Sequence, residues 1–184
     1  MTGQCENLSA DRKLGERWER EFCKLAAAQG FVFTPMQIGK ESSAQFFSNH
    51  DGWKHYTLPD ITIWTFPGQH HEIKHKNPTP AGAFGLPPMY GLEAYRYHAL
   101  ATFATVTQQD VLYTIHNHDL SGGRNGMLND LSHWFTLEID ALDVPDYVQR
   151  NGKTWVNGQR QENVKILYWH ADKWMPLQAY WEHD

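Results

Sequence analysis

Two carboxylates and a lysine in the stretch LPDITIWTFPGQHHEIKHKN, residues 58 to 77, have a spacing that could support chemistry. Asp60 lies near its start, and Glu72 and Lys74 lie near its end, two positions apart. Side chains on a β-strand alternate between the two faces, so a strand over 69–76 presents Glu72 and Lys74 on one face. This spacing predicts a carboxylate beside an ammonium group, with a second carboxylate on the preceding segment.

The segments YTLPDITIWTF and QHHEIKHK flank a Pro-Gly turn signal and predict a β-hairpin. Asp60 lies opposite Glu72 only if the loop has an odd length, and a five-residue loop closed by Ile63 and Gln69 satisfies this. A two-residue turn at the Pro-Gly pair would instead direct Asp60 to the other face. Directly opposed residues have Cβ atoms about 4.5 to 5.5 Å apart. The hypothesis that the two carboxylates meet therefore depends on one register.

Two carboxylates this close repel each other unless a cation lies between them, and hard oxygen ligands suit Mg²⁺ or Mn²⁺. A metal ion held by Asp60 and Glu72 would polarise a phosphodiester and lower the pKa of a bound water, as phosphate-ester hydrolysis requires. Lys74 could orient that water or stabilise charge on the phosphate. The alternative is a surface hairpin on which Glu72 and Lys74 form only a weak ion pair.

The sequence Pro-Asp60 followed by Glu72-Ile73-Lys74 resembles the motif of the PD-(D/E)xK nuclease superfamily. The resemblance implies that Asp60 and Glu72 are catalytic and bind a divalent metal, Mg²⁺ or Mn²⁺. It also implies that the backbone carbonyl of Ile73 completes the metal shell and that Lys74 is catalytic. The order of elements from about 11 to 117 is similar to the αβββαβ core of that superfamily.

Many members of that superfamily also carry an acidic residue on the first helix, often as G-x-x-x-E. Gly15 to Glu19 matches this pattern, which implies that Glu19 is a third catalytic and metal-binding carboxylate, with Glu16 as the alternative. Glu19 borders the apolar stripe of the predicted helix. Some members have Q-x-x-x-Y on the helix after the lysine, and Glu93 to Tyr97 has this spacing with Glu in place of Gln.

The elements that position these residues follow from hydrophobic periodicity and from Gly and Pro signals. We predict a helix over 11–29, a strand from Phe31, then the hairpin and an irregular loop over 77–88. A second helix is expected to start at Pro88 and to be followed by a strand over 110–117. One face of that helix is predicted to carry Leu92, Arg96, Ala99, Leu100 and Phe103. Residues 40–56 have no clear period and predict a loop or a short helix.

We therefore predict an α/β fold with a restriction-endonuclease-like αβββαβ core, a mixed central sheet flanked by helices, and extra C-terminal β-strands. A single nuclease-like domain is expected over 1–184, with its core at about 11–117 and a β extension at about 118–184. In the extension, HWFTLEIDAL and NVKILYWHA read as strands separated by a polar stretch. The segment KWMPLQAYWEHD predicts a final strand or a short helix.

The formal charge of −5 excludes a strongly basic protein that coats nucleic acid, so any contact with DNA must be local. The candidate DNA-binding residues are Lys54, Lys76, Arg96 and His75. Phe84, in the loop over 77–88, could stack on bases, although the loop equally well only connects two elements. Histidines surround the motif without C-x-x-C or H-E-x-x-H spacing, which favours phosphate-contact or surface roles over zinc.

Two cysteines without an even framework and the lack of a long apolar run predict a soluble, intracellular, cytoplasmic protein. The expected function is hydrolysis of DNA phosphodiester bonds by metal-activated water, as an endonuclease or an exonuclease. Two alternatives remain open: a catalytically inactive interaction or DNA-binding module with the same fold, and a hydrolase that acts on RNA. A homodimer and a targeting partner protein are both compatible with this small chain.

Overall fold

The computed structural model describes most of the chain. The described residues are 3–36, 45–49, 52–56, 59–65, 68–117, 120, 130–139, 144–156 and 159–183. Side chains are described for residues 16–36, 59–65, 68–117, 120, 130–139, 144–153 and 162–182.

Within these ranges the chain alternates between strands and a few helices. The elements are α1 (Gly3–Ala28), β1 (Phe33–Pro35), β2 (Gln45–Asn49), β3 (Gly52–Tyr56), β4 (Ile61–Ile63), β5 (Gln69–Lys76), β6 (Met89–Glu93), α2 (Ala94–Thr107), β7 (Asp110–Asn117), β8 (Trp134–Glu138), β9 (Tyr147–Val156), β10 (Gln159–His170), β11 (Met175–Pro176) and α3 (Leu177–His183). Short 3₁₀ turns lie at Ala83–Gly85, Leu131–His133 and Ala171–Lys173.

A central six-stranded sheet has the order β1-β4-β5-β7-β8-β11. Strands β5 and β7 are parallel, and the other neighbours are antiparallel, so the sheet is mixed. Helix α1 packs on one face through Phe22 and Ala26, against Ile61 and Ile73. Helix α2 packs on the other face through Tyr97 and Leu100, against Tyr113 and Ile115. The sheet is therefore covered on both sides, as the parallel pair β5–β7 requires.

The predicted fold class is confirmed. The elements α1, β1, β4, β5, α2 and β7 form the αβββαβ order, and further strands follow β7. The hairpin β2–β3 is inserted between the first two core strands, and β6 is inserted before the second helix. None of the helices in the described ranges is long and apolar enough to cross a membrane.

The predicted hairpin register is also confirmed. Ile61 pairs with His71, and Ile63 pairs with Gln69, so the loop between the strands has the expected odd length. Asp60 directly precedes β4, and continuing the same register places it opposite Glu72. The turn residues Phe66 and Pro67 lie outside the described residues.

The helix expected to start at Pro88 begins only at Ala94. Residues Met89–Glu93 instead form strand β6, which pairs with β10. Gly91 in β6 faces Tyr168, and a Cβ atom at position 91 would lie 2.6 Å from the Tyr168 ring. Pairing with a distant strand therefore overrides the helical spacing of Leu92 with the residues that follow it. The buried positions of α2 are Ala94, Tyr97, Leu100 and Ala101, which share only Leu100 with the predicted face.

Two further predictions were wrong in part. The region 40–56, predicted as loop or short helix, contains the antiparallel pair β2–β3. The polar stretch that was expected to separate two strands is itself strand β9, which pairs with β10 across register shifts at Val164. The sequences of β2, β3 and β9 do not alternate between apolar and polar residues. These strands pair outside the central sheet, in the two-stranded sheet β2-β3 and in a second, three-stranded sheet with the order β6-β10-β9.

Candidate functional site

Glu72 lies in the middle of β5 and its side chain is 0% exposed. The neighbouring Ile73 points to the other face and packs in the core beneath α1. Because β5 has sheet neighbours on both sides and a helix on each face, burial of Glu72 follows from its position. A buried carboxylate is retained in folded proteins only when cationic or hydrogen-bonding groups surround it.

Asp60 is held at the entrance of β4 by the backbone of β5. Its Oδ2 atom accepts a hydrogen bond of 2.7 Å from the N–H group of Ile73. The pKa of Asp60 is raised above its usual value, because burial and the charge of Glu72 raise it by more than Lys74 and Arg96 lower it. The two carboxylates predicted to meet are therefore electrostatically coupled, and the N–H group of Ile73 is the backbone atom that fixes Asp60.

Lys74 lies between the two carboxylates. Its Nζ atom is 2.5 Å from Oε1 of Glu72 and 3.8 Å from Oδ2 of Asp60. Burial alone lowers the pKa of Lys74, but the charges of Glu72 and Asp60 raise it above its usual range. Lys74 therefore remains an ammonium ion throughout the ordinary pH range, and it places a positive charge and N–H donors beside the two carboxylates.

Arg96, from the first turn of α2, binds Glu72 through the Nε and Nη2 atoms of its guanidinium group. The Nη2 atom lies 2.7 Å from each carboxylate oxygen, and Nε donates to Oε1 at 3.0 Å. Burial raises the pKa of Glu72, but Arg96 and Lys74 outweigh it and keep the pKa below its usual range. Arg96 was predicted to contact DNA, and its closest partner is instead this carboxylate. No local pattern in the sequence indicates this contact, because a loop and strand β6 separate Glu72 from Arg96.

Glu19 on α1 belongs to the same electrostatic cluster. Burial raises its pKa to about 7, and the charge of Asp60 is the next largest cause. Its Oε2 atom is buried and has no hydrogen-bond partner among the described residues. Glu16, the alternative, forms an ion pair with Arg20 one turn along α1 at 3.8 Å. Of the two glutamates, Glu19 is the one coupled to Asp60 and Lys74.

The oxygen donors fit a divalent metal ion in part. Glu19 and Asp60 fit, because Glu19 presents a buried oxygen that no described residue hydrogen-bonds, and it interacts electrostatically with a second carboxylate. Such hard donors suit Mg²⁺ or Mn²⁺. Glu72 fits less well, because Arg96 already binds both of its oxygens. In the part of the chain that the structure describes, no three His, Cys, Asp or Glu side chains are arranged around one metal position.

The other residues predicted to bind DNA lie in different surroundings. Lys76 continues the face of Glu72 and Lys74, and its Nζ atom donates to the carbonyl of Gly91 at 2.7 Å. His75 lies on the opposite face of β5, where its ring stacks on Trp18 with centroids 3.9 Å apart. The side chain of Lys54, on β3, lies outside the described residues.

The α1 side of the sheet holds a cluster of aromatic rings around His75. His116 on β7 also stacks on Trp18, and the Nδ1 atoms of His75 and His116 are 3.0 Å apart. The Nδ1 atom of one ring must carry a proton and donate it to the Nδ1 atom of the other ring. His75 therefore anchors α1, and with it Glu19, to the sheet.

The first turn of α2 contributes one residue that the sequence did not single out. Tyr95 precedes Arg96, and its side chain is 54% exposed. Burial and the charge of Glu93 raise the pKa of Tyr95. The charge of Lys74 lowers this pKa and the charge of Glu72 raises it further. Tyr97, the tyrosine at the spacing of the Q-x-x-x-Y pattern, is instead buried in the core. Tyr95 is thus the tyrosine at the rim of the site.

No protein-family model matches the chain, and no curated protein matches it. Among solved structures, it is similar to Hjc, a Holliday junction resolvase from the archaeal hyperthermophile Archaeoglobus fulgidus. The two chains are 15% identical, the alignment covers 83% of each chain, and the TM-score is 0.41.

Proposed function

We propose that this protein is a divalent-metal-dependent nuclease that hydrolyses phosphodiester bonds in DNA. The observation that carries the proposal is the convergence of Asp60, Glu72 and Lys74, with Lys74 between the two carboxylates. Glu19 adds a third carboxylate that is coupled to Asp60. This combination of clustered acidic oxygens and one retained ammonium group matches the needs of phosphate-ester hydrolysis.

Each residue has a distinct role in this proposal. Asp60 and Glu19 hold Mg²⁺ or Mn²⁺, which when bound supplies a Lewis acid for the phosphate and a more acidic water. Lys74 stays protonated and stabilises the negative charge that grows on the phosphate. Glu72 fixes the ammonium group of Lys74, and Arg96 fixes Glu72 through two parallel contacts. The N–H group of Ile73 keeps Asp60 oriented toward the same cleft.

The whole chain has a formal charge of −5, so in this proposal the DNA contacts the protein through a local cationic surface. Lys76 extends the row of Glu72 and Lys74 along β5 and is a candidate contact for a DNA phosphate. Such a small footprint favours a homodimer or a targeting partner as the source of additional DNA contacts. The RNA alternative has the same phosphate chemistry, and only the 2′-hydroxyl group distinguishes the two substrates.

One observation favours the alternative of a non-catalytic module. Arg96 and Lys74 together neutralise Glu72, so its carboxylate is already fully bound within the protein. In a non-catalytic protein these three residues would only stabilise the junction between β5 and α2. The two candidates differ in one property, which is whether phosphodiester bonds are cut when a divalent metal is added.

The decisive experiment is a cleavage assay on plasmid, linear duplex, single-stranded and branched DNA and on RNA, with Mg²⁺, Mn²⁺ or EDTA. Asp60→Asn is the test variant, because an amide oxygen can still accept the hydrogen bond from Ile73 while the metal-binding charge is lost. Lys153→Ala, an exposed surface change, is the matched control. We expect metal-dependent cutting of DNA by the wild type and the control and none by Asp60→Asn. No cutting of any substrate would favour the non-catalytic module, and cutting of RNA alone would favour the RNA hydrolase.

A further inference from the structure

Three aromatic side chains form a platform on the outer face of the second sheet. Tyr147 on β9 and Tyr168 on β10 are directly paired across the strands. The ring of Phe84, from the loop before β6, stacks on Tyr147 with centroids 4.7 Å apart and planes 25° apart, and it lies 5.8 Å from Tyr168. Phe84, Tyr147 and Tyr168 are called the aromatic platform below.

The platform is held in place by its neighbours. The Tyr168 hydroxyl donates to Oε1 of Gln149 at 2.9 Å, which fixes one end of that ring. The ring itself lies over Gly91, where a Cβ atom would approach it to 2.6 Å. Position 91 thus accepts only glycine without displacing Tyr168. These contacts make the platform a preformed surface.

Phe84 occupies an unusual position within this platform. Its φ angle is +57°, in the left-handed region that a bulky residue rarely adopts. Its side chain is nevertheless 46% exposed, so burial does not account for the strain. A strained backbone that holds a large aromatic ring at the surface is typical of residues that contact a ligand.

The platform adjoins the candidate site through Lys76 and Gly91. Lys76 lies on the same face of β5 as Glu72 and Lys74, and its ammonium group binds the carbonyl of Gly91 at 2.7 Å. Tyr168 covers the same glycine. A strand whose phosphate reaches Lys74 therefore finds a second cation at Lys76 and then the aromatic rings.

We propose that the aromatic platform stacks the unpaired bases of the DNA strand whose phosphate lies in the candidate site. The proposal rests on the proposed function and names its substrate class, which is DNA with single-stranded nucleotides next to the cleavage point. Flat rings stack on any base, but the bases of an intact duplex are stacked on each other and cannot reach the platform. Two cations, Lys74 and Lys76, followed by aromatic rings offer contacts to both the phosphates and the bases of a single strand.

The test is a binding assay in Ca²⁺ or EDTA, in which affinity is measured without cutting. Fluorescence anisotropy compares a labelled oligothymidylate with a blunt duplex of equal length, and a 2-aminopurine base in the oligonucleotide reports stacking directly. The test variants are Phe84→Gly, which tolerates the positive φ angle, and Tyr168→Leu. Tyr168→Phe keeps the ring and is the conservative control, and Val106→Ala changes an exposed apolar residue on α2.

We expect Phe84→Gly and Tyr168→Leu each to weaken binding of the single strand by about 5- to 100-fold. The change in 2-aminopurine fluorescence that stacking causes should also be lost. Tyr168→Phe and Val106→Ala should bind as the wild type does. The salt dependence should be unchanged in all variants, because no phosphate contact is removed. Thermal melting establishes that each variant is folded.

Unchanged single-strand affinity in a folded Phe84→Gly protein would overturn the proposal. So would a wild-type protein that binds the blunt duplex more tightly than the single strand. If Phe84→Gly instead converts a dimer to a monomer in sedimentation, with binding unchanged, the platform is an interface between two copies of the chain. A protein that binds single strands through Phe84 but cuts no DNA would refute the proposed nuclease and leave the stacking role intact.

Discussion

Arg96 binds both carboxylate oxygens of Glu72, a residue that is separated from it by the whole crossover loop and strand β6. The guanidinium group reaches the middle of the central sheet, where Glu72 is fully buried. This ion pair joins α2 to β5 and balances the charge of a carboxylate that could not otherwise be buried. Glu72 therefore has a structural task in addition to any part it takes in catalysis.

Removal of Arg96 should strongly destabilise the fold. Among the described residues, Arg96→Ala leaves Lys74 as the cationic partner of the buried Glu72, and we expect the free energy of unfolding to fall by about 3 to 5 kcal/mol. Arg96→Lys retains the charge but not the paired contacts, so its loss should be smaller. Urea denaturation measures both. Arg20→Ala, which breaks an exposed ion pair on α1, is the control and should change stability by less than about 1 kcal/mol. A change of similar size for Arg96→Ala would contradict the structural role.

Cleavage should depend on the charge of Lys74. Lys74→Gln removes the ammonium group between Asp60 and Glu72, and we expect the single-turnover cleavage rate to fall by about 100-fold or more. Lys74→Arg keeps the charge and should retain part of the rate. DNA affinity measured in Ca²⁺ should change far less than the rate. A Lys74→Gln protein that binds and cuts normally would remove Lys74 from the mechanism.

Glu19 should couple metal binding to pH. Its pKa is about 4.5 in an unfolded chain and about 7 in the fold, so the unfolded state releases this proton first as the pH rises. The contribution of Glu19 to the free energy of unfolding therefore decreases between about pH 4.5 and pH 7. The difference in unfolding free energy between the wild type and Glu19→Gln should show this decrease. A bound cation favours the ionised carboxylate, so Mn²⁺ should raise the melting temperature of the wild type more at pH 8 than at pH 5.

The same melting curves test the assignment of Glu19 to the metal. In Glu19→Gln the added stabilisation by Mn²⁺ at pH 8 should be reduced. Glu162→Gln, a change at an exposed position on β10, should respond as the wild type does. Equal stabilisation of Glu19→Gln and the wild type by Mn²⁺ at pH 8 would show that the metal binds without Glu19.

Acid should destabilise the protein through His71. This side chain is fully buried on β5, where its Nδ1 atom lies 2.8 Å from the Thr114 hydroxyl, and burial lowers its pKa to about 3. The unfolded chain binds the proton at about pH 6.5, so stability is lost as the pH falls from 6.5 toward 3, by up to about 1.4 kcal/mol per pH unit.

A variant at position 71 isolates this contribution. His71→Leu removes the titrating group, so it should flatten the decrease in unfolding free energy below pH 6.5, whatever the variant's stability at pH 7. The Thr114 hydroxyl that contacts His71 keeps a second partner, the Thr136 hydroxyl at 3.1 Å. His98→Gln alters an exposed histidine on α2 and should leave the slope unchanged. Parallel slopes for His71→Leu and the wild type would refute the prediction.

The hairpin that carries the candidate site could be predicted from the sequence in detail. The alternation of side chains around Ile73 and the Pro-Gly turn signal predicted which face of each strand points toward the core. The requirement that Asp60 lie opposite Glu72 selected one loop length, and the observed register agrees with it. Local periodicity was sufficient there because the two strands are neighbours in the chain. The helix carrying Glu19 was predictable for the same reason, although it begins earlier than expected, at Gly3.

Longer-range relationships could not be predicted in this way. Strand β6 was taken for the start of a helix, because its pairing with β10 depends on residues far along the chain. The contact between Arg96 and Glu72 could not be predicted, because a single arginine near a basic patch has no local signal for an internal partner. The contact with Glu72 becomes visible only when the crossover brings α2 over β5.

The placement of β6 also has a consequence for protein synthesis. This strand lies inside the crossover between β5 and β7, yet its partner β10 is translated long after β7. Until β10 leaves the ribosome, β6 has unpaired backbone groups and exposes Met89, Tyr90 and Leu92, which are buried in the finished fold. An apolar strand with a free edge is a template for association with other chains. We therefore expect the nascent chain to have an unpaired β6 edge in the interval between completion of α2 and release of β10, when it could associate with other chains.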